Sequence, residues 1–434
     1  MVIRSSQAET SARGLAAHVL GRVLGRLQPL DEALKATPGA QALSAPDLAF
    51  ARLLIATTLR RLGQIDAVIG QCLEHPLPDK ALTTKNALRL GVAQLLFLDT
   101  KPHAAVAETV GLIRERPFRG LANAVLRRVA RQGQSLIENQ DAPRLNTPDW
   151  LWESWSAGYG EEMARRIAEA HLIEPPLDIV LKDPADIDLW AERLEATPIG
   201  NGVIRRYGGG RIEDLPGFAE GAWWIQDLAA TLPASLLPLS AGETVADLCA
   251  APGGKTAQLS ARGAQVIAVD RSETRLKRVR ETLARLHLDA ETVAADAADW
   301  QPNEPLPKIL LDAPCSATGT IRRHPDLPHI KGPKDIQTVT AAQDRLLANA
   351  VRLLAPGGVM IYCVCSLEPG EGEDRIDALL GSDAPVKRLP IRPDEIPFLP
   401  EAVTPAGDLR TLPCYLSGKG GLDGFFAARL EKHG

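Results

Sequence analysis

The 434-residue sequence has no run of about 18 apolar residues, the length that a membrane-spanning helix needs. The opening MVIRSSQAET shows no apolar stretch after its basic residue, so we expect no secretory signal. Internal repeats and low-complexity runs are also missing. Hydrophobic residues at 45% and charged residues at 24% are typical of a soluble globular protein, and we expect a cytoplasmic one without membrane contact.

Cysteine is scarce, which excludes a disulfide scaffold and leaves thiols available for chemistry in a reducing compartment. Only Cys363 and Cys365 are close neighbours, and a C-x-C pair without a matching second Cys or His pair does not make a zinc site, so no metal is expected. The six positions are 72, 249, 315, 363, 365 and 414.

Charge is unevenly distributed, although the net charge of −5 alone gives no basic footprint. Residues 1–140 contain 18 Lys and Arg against 11 Asp and Glu, a net charge of +7, and the remainder therefore has a net charge of −12. Such segregation fits either nucleic-acid contact or a solvated helical bundle with Arg-rich faces.

The length favours two to four domains. Up to about Arg131, apolar residues recur three and four positions apart between Pro- and Gly-containing breaks, which predicts an all-α domain over 1–140. A polar, proline-containing stretch at 132–148 marks the first boundary. Residues 145–225 mix helical patterns with the strand-like PLDIVLK and predict a small α+β domain.

From Thr244 onwards, short apolar strands alternate with helices: TVADLC, AQVIAVD, AETVAAD, KILLDAP and VMIYCVCS, with GLDGFFAARL as a last strand. Strands that are almost continuously apolar are typical of a parallel sheet covered by helices on both faces. The sequence therefore predicts a doubly wound, Rossmann-like α/β domain over 226–434.

A glycine-containing loop, AAPGGKT, follows the first of these strands and lets the backbone and helix amides approach a ligand. A Walker phosphate loop requires glycine five residues before Gly254, where Cys249 stands. The dinucleotide pattern G-x-G-x-x-G is also absent. The loop thus predicts a ligand other than a nucleoside triphosphate or dinucleotide.

Acidic residues stand in or at the end of four successive strands, at Asp247, Asp270, Asp296 and Asp312. Ligands of open α/β sheets bind at the carboxyl ends of strands, so one crevice can collect all four. S-adenosylmethionine offers ribose hydroxyls, an adenine amine and a cationic amino acid to such carboxylates. Capping of a helix N-terminus is the alternative for any single one of them.

Two cysteines also follow strands: Cys315 after KILLDAP and Cys365 in VMIYCVCS. Thiolate attack at C6 of a cytosine would make C5 nucleophilic enough to accept a methyl group, and a second thiol nearby could assist release. Asp312 could stabilise the adduct through N3 or the exocyclic amine. The chemistry leaves open which cysteine attacks, and whether the loop 322–324 (Arg-Arg-His) tunes the thiols or contacts RNA.

Four ordered motifs, DLCAAPGGKT, AVDRSETRLKRV, LLDAPCSATGTIRRHPDL and IYCVCSLEPGEGE, make Thr244–Asp374 resemble the NOL1/NOP2/Sun family of RNA cytosine-C5 methyltransferases. KPHAAVAETV and GLANAVLRRV resemble a NusB-type RNA-binding domain. This combination is similar to enzymes that methylate 16S ribosomal RNA. The resemblance covers nearly the whole chain.

The resemblance implies S-adenosylmethionine as cofactor and assigns roles that the chemistry left open. Cys365 would be the nucleophile and Cys315 would act in product release. One departure is Val364, where the family usually has Thr, with Cys363 as an additional thiol. The implied cofactor contacts are Cys249, Ala250, Ala251, Pro252, Gly253, Gly254, Lys255, Asp270, Asp296 and Asp312.

Three alternatives remain for the function. A DNA cytosine methyltransferase is disfavoured because its F-x-G-x-G motif and Glu-Asn-Val tripeptide are missing. A NusB-like assembly factor with an inactive methyltransferase domain and a methyltransferase for another RNA are the others. We expect an RNA partner and no DNA, a target cytosine in a loop where extrusion costs least, and a monomer.

Overall fold

The computed structural model describes residues 11–433, except for the side chain of Asp79. The first ten residues, on which the expectation about a secretory signal rests, lie outside this range. No helix in the described range is both long and apolar enough to cross a membrane. The described chain forms two compact units. One comprises the described residues up to Ile173 together with Ile321–Gly332. The other comprises Glu174–Thr320 together with the described residues from Pro333 onwards.

The first unit is helical, as the apolar spacing predicts. Its first helix begins where the Ser11 side chain accepts a hydrogen bond from the Gly14 amide, and its seventh ends at Gln132, directly before Gly133 with its positive φ. The apolar faces form one core. The helices are α1 Ala12–Arg26, α2 Leu30–Lys35, α3 Ala45–Arg60, α4 Leu62–Cys72, α5 Leu82–Leu96, α6 Pro102–Leu112, α7 Arg116–Gln132, α8 Ala142–Leu145, α9 Asp149–Tyr159 and α10 Glu161–His171.

A short distant segment, Ile321–Gly332, belongs to this helical unit. Arg60 donates a side-chain hydrogen bond to the Arg322 carbonyl oxygen at 2.9 Å, and the Leu30 amide donates to Asp326 Oδ2 at 2.9 Å. Arg322 is buried there. The loop 322–324 therefore has a packing role within the helical unit.

The second unit contains two sheets. The smaller is antiparallel, in the order β2-β3-β1-β4, and includes the predicted strand PLDIVLK. A buried ion pair fixes it, since Arg205 Nε donates to Asp178 Oδ1 at 2.6 Å. Its elements are β1 Leu177–Leu181, α11 Ile187–Arg193, β2 Ala196–Gly200, β3 Val203–Arg206 and β4 Trp223–Ile225.

The larger sheet has the order β10-β12-β9-β8-β5-β6-β7, with β11 paired to β12. The five strands from β9 to β7 are parallel, which confirms the Rossmann-like prediction. The last strand is present but antiparallel to β9, so the sheet is mixed. The strands are β5 Thr244–Leu248, β6 Gln265–Asp270, β7 Glu291–Ala294, β8 Leu306–Asp312, β9 Leu354–Val364, β10 Val386–Arg388, β11 Leu409–Thr411 and β12 Phe425–Lys432.

Alternate side chains of the central strands enter two separate cores, because successive residues of a strand point to opposite faces. Ile309 and Leu311 join one core, whereas Leu310 joins the other. Helices cover both faces of the larger sheet. The carboxyl ends of its parallel strands therefore form an open edge, and polar groups collect there. The helices of this unit after the small sheet are α12 Leu228–Leu236, α13 Gly254–Ala261, α14 Glu273–Leu286, α16 Pro333–Leu353 and α17 Glu373–Leu380; α15 Leu327–Ile330 lies in the helical unit.

Candidate active site at the carboxyl ends of the parallel strands

The loop after β5 turns sharply before α13 begins at Gly254. Cys249 has φ 62° and Gly253 has φ 104°, both in the left-handed region. A Cβ at Gly253 would lie 3.1 Å from Val279 Cγ1 and 3.2 Å from Val279 Cα, so the close contact with α14 requires glycine. The loop thereby brings the first amides of α13 to the sheet edge, where they suit polar ligand atoms.

Asp247 is fully buried in β5, and its Oδ2 accepts a hydrogen bond from Thr256 Oγ1 at 2.6 Å. Its other oxygen has no partner. Burial, opposed by the Thr256 hydrogen bond and reinforced by the charge of Asp312, raises the pKa of Asp247 to about 7.

Asp270 ends β6, and its carboxylate is held by groups of the loop after β5 and of the segment that follows β6. Its Oδ2 accepts from the Ala251 amide at 3.2 Å and lies 3.4 Å from Arg275 Nη1, and its Oδ1 accepts from the Ser272 amide at 3.0 Å. Asp296 is exposed two residues after β7 and accepts from the Ala298 amide at 2.9 Å. The carboxylates of Asp270 and Asp296 both accept hydrogen bonds from nearby backbone amides, as capping residues do. Both can accept further hydrogen bonds.

All four predicted aspartates influence the pKa of one thiol, that of Cys249. Burial, together with the negative charges of the four carboxylates, raises the pKa of Cys249 to about 12. The structure thus brings the acids together around the loop after β5. The carboxylates are those of Asp312, Asp270, Asp247 and Asp296.

Lys255 links the loop to the end of β8. Its Nζ donates to Asp312 Oδ2 at 2.7 Å and lies 4.9 Å from the centroid of the Phe425 ring. Burial lowers the pKa of Lys255, but the charge and hydrogen bond of Asp312, together with the charges of Cys363 and Cys365, outweigh burial and raise the pKa above its ordinary value. Cys363 Sγ, fully buried, donates to Asp312 Oδ1 at 3.6 Å.

The thiols of Cys315 and Cys365 lie 3.3 Å apart and are half-buried. The two loops are also joined through the backbone, since the Gly319 amide donates to the Cys365 carbonyl oxygen at 3.0 Å. The hydrogen bond with Cys365 and burial raise the pKa of Cys315 well above its ordinary range. Burial, with the charge of Asp312, likewise raises the pKa of Cys363, which favours its neutral thiol.

The sequence prediction missed a buried polar cluster beneath these thiols, formed by Glu371, Ser316, Ser366 and Gln343. One signal was present: each of the two cysteines is followed by serine. No group of three or more His, Cys, Asp or Glu side chains within residues 11–433 is arranged to hold a metal ion.

Comparisons with known proteins identify relatives over most of the chain. The family model "16S rRNA methyltransferase RsmB/F" matches residues 234–431, and the NusB family model matches residues 10–131. The ribosomal RNA small subunit methyltransferase B of Pseudomonas putida is 36% identical over 89% of this chain and 89% of that protein. The protein of the same name from Cronobacter sakazakii is 34% identical over 97% of this chain and 98% of its own length.

Two solved structures share the fold. The methyltransferase homologue protein from Pyrococcus horikoshii has a TM-score of 0.54 and 28% identity, covering 64% of this chain and 93% of that chain. PH0851 has a TM-score of 0.73 over 97% of this chain and 99% of its own, with 24% identity.

Fold, site and relatives together define an S-adenosylmethionine-dependent methyltransferase of ribosomal RNA with an N-terminal NusB domain. More narrowly, the chain belongs to the RsmB/F family of 16S rRNA methyltransferases, which confirms the predicted resemblance and cofactor.

Proposed function

We propose that the protein methylates C5 of a loop cytosine in 16S ribosomal RNA through a covalent bond between Cys365 and C6. The observation that carries the proposal is the 3.3 Å approach of the Cys315 and Cys365 thiols beside the end of β8, where Asp312 lies. Methylation at a ring nitrogen or a ribose hydroxyl requires no thiol pair.

The covalent step gives each thiol a defined task. The Cys365 thiolate adds to C6, the C5–C6 double bond becomes a single bond, and its electron pair makes C5 the nucleophilic carbon of a C4–C5 enamine. S-adenosylmethionine supplies the methyl group to C5. A base then removes the C5 proton, the electron pair reforms the double bond, and the Cys365 thiolate leaves. Cys315, close to Cys365, is suited to assist this release.

We assign Asp312 a contact with the base as well as with the cofactor. It is partly exposed, with 32% of its side-chain area accessible, and Lys255 and Cys363 occupy only part of its acceptor capacity. A carboxylate there would accept from the exocyclic amine or from protonated N3 and stabilise charge that grows on the ring.

The cofactor side consists of the loop after β5 and the strand-end acids. The partnerless buried oxygen of Asp247 and the acids around Cys249 fit a cationic ligand with several hydroxyl and amine donors. We assign the cofactor contacts to Cys249, Ala250, Ala251, Pro252, Gly253, Gly254, Lys255, Asp270, Asp296 and Asp312.

RNA binding is assigned to the basic helical part. A groove of about 400 Å³ between α6 and α7 is lined by Arg127, Arg131 and His103 among others, and both arginines are exposed. Cationic side chains on such a face suit phosphates. The proposed domains remain 1–140 and 145–225 for RNA and 226–434 for catalysis, in a cytoplasmic monomer.

The test uses variants of the full chain with unmodified 16S rRNA. Cys315→Ala should accumulate a denaturation-resistant protein–RNA adduct, because addition proceeds while release slows. Cys365→Ala should form neither adduct nor 5-methylcytosine. Cys414→Ala, which removes a buried thiol elsewhere, is the matched control and should behave as wild type.

Bisulfite sequencing of 16S rRNA from cells with and without the gene would locate the base. Methyl incorporation without 5-methylcytosine would contradict the C5 assignment. Full activity of Cys365→Ala would contradict the adduct. RNA binding without any methyl incorporation would favour an inactive assembly factor, and incorporation into another RNA alone would overturn the 16S assignment.

A further inference from the structure

Glu371 is completely buried in the turn between β9 and α17. Its carboxylate accepts hydrogen bonds from the Ser316 amide at 2.8 Å, the Ser366 hydroxyl at 2.6 Å and the Gln343 side-chain amide at 3.1 Å. The Ser316 hydroxyl is a fourth donor. A carboxylate has about four lone-pair sites, so these donors saturate it.

The donors belong to the segments that carry the two thiols. Ser316 directly follows Cys315, and Ser366 directly follows Cys365. Gln343, on α16, also donates to the Pro314 carbonyl oxygen at 2.9 Å, on the other side of Cys315. One carboxylate therefore ties together the backbones on which both thiols depend.

Further hydrogen bonds brace the same cluster. The hydroxyls of Ser316 and Ser366 lie 3.1 Å apart, and Thr318 Oγ1 lies 3.2 Å from Ser366 Oγ. The Leu367 amide donates to Thr318 Oγ1 at 3.0 Å, and the Tyr362 hydroxyl donates to the Glu371 carbonyl oxygen at 2.6 Å. Hydrogen bonds in so buried a network are strong and directional.

A buried carboxylate is a costly way to fill space, because it must give up its hydration. Well-packed apolar residues often stabilise a fold as much or more. A saturated acid at the junction of two loops does something an apolar side chain cannot: it fixes the direction of every donor around it. Positioning to within a fraction of an ångström matters for reacting groups.

We propose that Glu371 is a positioning residue that sets the separation and orientation of the Cys315 and Cys365 thiols during methyl transfer. This inference rests on the proposed function, in which those thiols form and release the RNA adduct. The hydrogen bonds of Glu371 go to Ser316, Ser366 and Gln343 and not to the thiols, so it acts through the residues beside them.

The charge of Glu371 has a second effect. The titratable groups that interact with Cys315 are Cys365, Glu371 and Tyr362. After the hydrogen bond with Cys365 and burial, the charges of Cys365 and Glu371 raise the pKa of Cys315. Replacement of Glu371 by a neutral side chain should therefore lower the pKa of Cys315.

The first test compares Glu371→Gln with Asp374→Asn in the full chain. Gln keeps the volume but offers one acceptor oxygen in place of two. Asp374 is exposed three residues further on, so its variant removes the same charge outside the cluster. With 16S rRNA transcript and labelled S-adenosylmethionine, kcat of Glu371→Gln should fall about tenfold or more, with KM for RNA and Kd for the cofactor within about twofold. Asp374→Asn should match wild type.

The second readout is the pH at which Cys315 reacts with iodoacetamide, followed by peptide mass mapping. Glu371→Gln should move the midpoint to lower pH, whereas Asp374→Asn should leave it unchanged. A loop that merely loosens without losing a charge near Cys315 would raise reactivity at every pH and leave the midpoint in place.

Unchanged kcat and an unchanged midpoint in folded Glu371→Gln would overturn the inference. If that variant does not fold, Ser316→Ala and Ser366→Ala decide, since each removes one donor: both should lower kcat, and wild-type kcat in both would overturn it. Absence of 5-methylcytosine from the wild-type reaction would instead refute the proposed function, whatever Glu371→Gln does.

Discussion

Two kinds of acidic side chain belong to the candidate site, and they differ in how completely they are hydrogen-bonded. Asp312 and Asp247 stand on parallel strands with acceptor capacity to spare: Asp312 is partly exposed, and one oxygen of Asp247 has no partner. Glu371 is fully buried and saturated by four donors.

The difference separates binding from positioning. An acid with unused lone pairs can accept hydrogen bonds from an incoming ligand, whereas a saturated acid can only hold what already surrounds it. We therefore expect substitution of the unsaturated acids to affect ligand chemistry directly, and substitution of Glu371 to act through thiol geometry.

Asp312→Asn should cause the largest loss of methyl transfer. It is therefore the most severe test of the distinction between the unsaturated acids and Glu371. It removes the charge proposed to stabilise the developing adduct, and single-turnover methyl transfer should fall about 10²–10³-fold. That loss exceeds the tenfold effect expected for Glu371→Gln. With Asp374→Asn as a charge-matched control, a smaller loss in Asp312→Asn than in Glu371→Gln would break the distinction.

Lys255→Met should have the next largest effect, because Lys255 is the cation bonded to Asp312. Its loss leaves the site more negative, which favours the cationic sulfonium of S-adenosylmethionine over neutral S-adenosylhomocysteine. The ratio of their Kd values, measured by calorimetry, should shift several-fold toward S-adenosylmethionine, and methyl transfer should fall about tenfold because Asp312 is less well held.

The control for this substitution is Lys277→Met, since Lys277 on α14 is exposed, with 73% of its side-chain area accessible. Its Kd ratio should equal that of wild type. A ratio that stays the same in Lys255→Met would show that Lys255 does not influence the charge of the cofactor site.

Much of this architecture could be predicted because its signals are local. Apolar runs bounded by polar residues predicted the parallel strands. Because Asp270 and Asp312 close two of these runs, their positions at strand ends could be predicted as well. The direction of β12 could not be predicted, because an apolar strand has the same pattern whether its neighbour is parallel or antiparallel. The placement of Ile321–Gly332 in the helical unit depends on contacts with residues far away in sequence, such as Arg60.

Glu371 was missed for a related reason. It lies in EPGEGED, a stretch whose Pro, Gly and acids are typical of an exposed turn. Its burial depends on Ser316 and Gln343, which are 55 and 28 positions away in the chain. Composition of a segment cannot report donors supplied by other segments. The roles of Cys365 and Cys315 likewise came from family resemblance, since both thiols end up at the same edge.

The smallest expected effect concerns Asp247 and appears only as a pH dependence. Its pKa is about 7 in the folded protein, chiefly through burial, against an ordinary value of 3.8. Between these values the folded state retains a proton that the unfolded state has lost, so the stabilisation is complete below about pH 4 and is lost as the pH rises through about 7. Asp247→Asn is neutral throughout, so its apparent Tm without cofactor should fall less than that of wild type from pH 5 to pH 8. The gap should grow by at least about 2 °C in scanning fluorimetry.

Asp296→Asn, which alters an exposed carboxylate, should give a curve parallel to that of wild type. Parallel curves for wild type and Asp247→Asn would mean that Asp247 is already compensated, and the contrast with Glu371 would then rest on Asp312 alone.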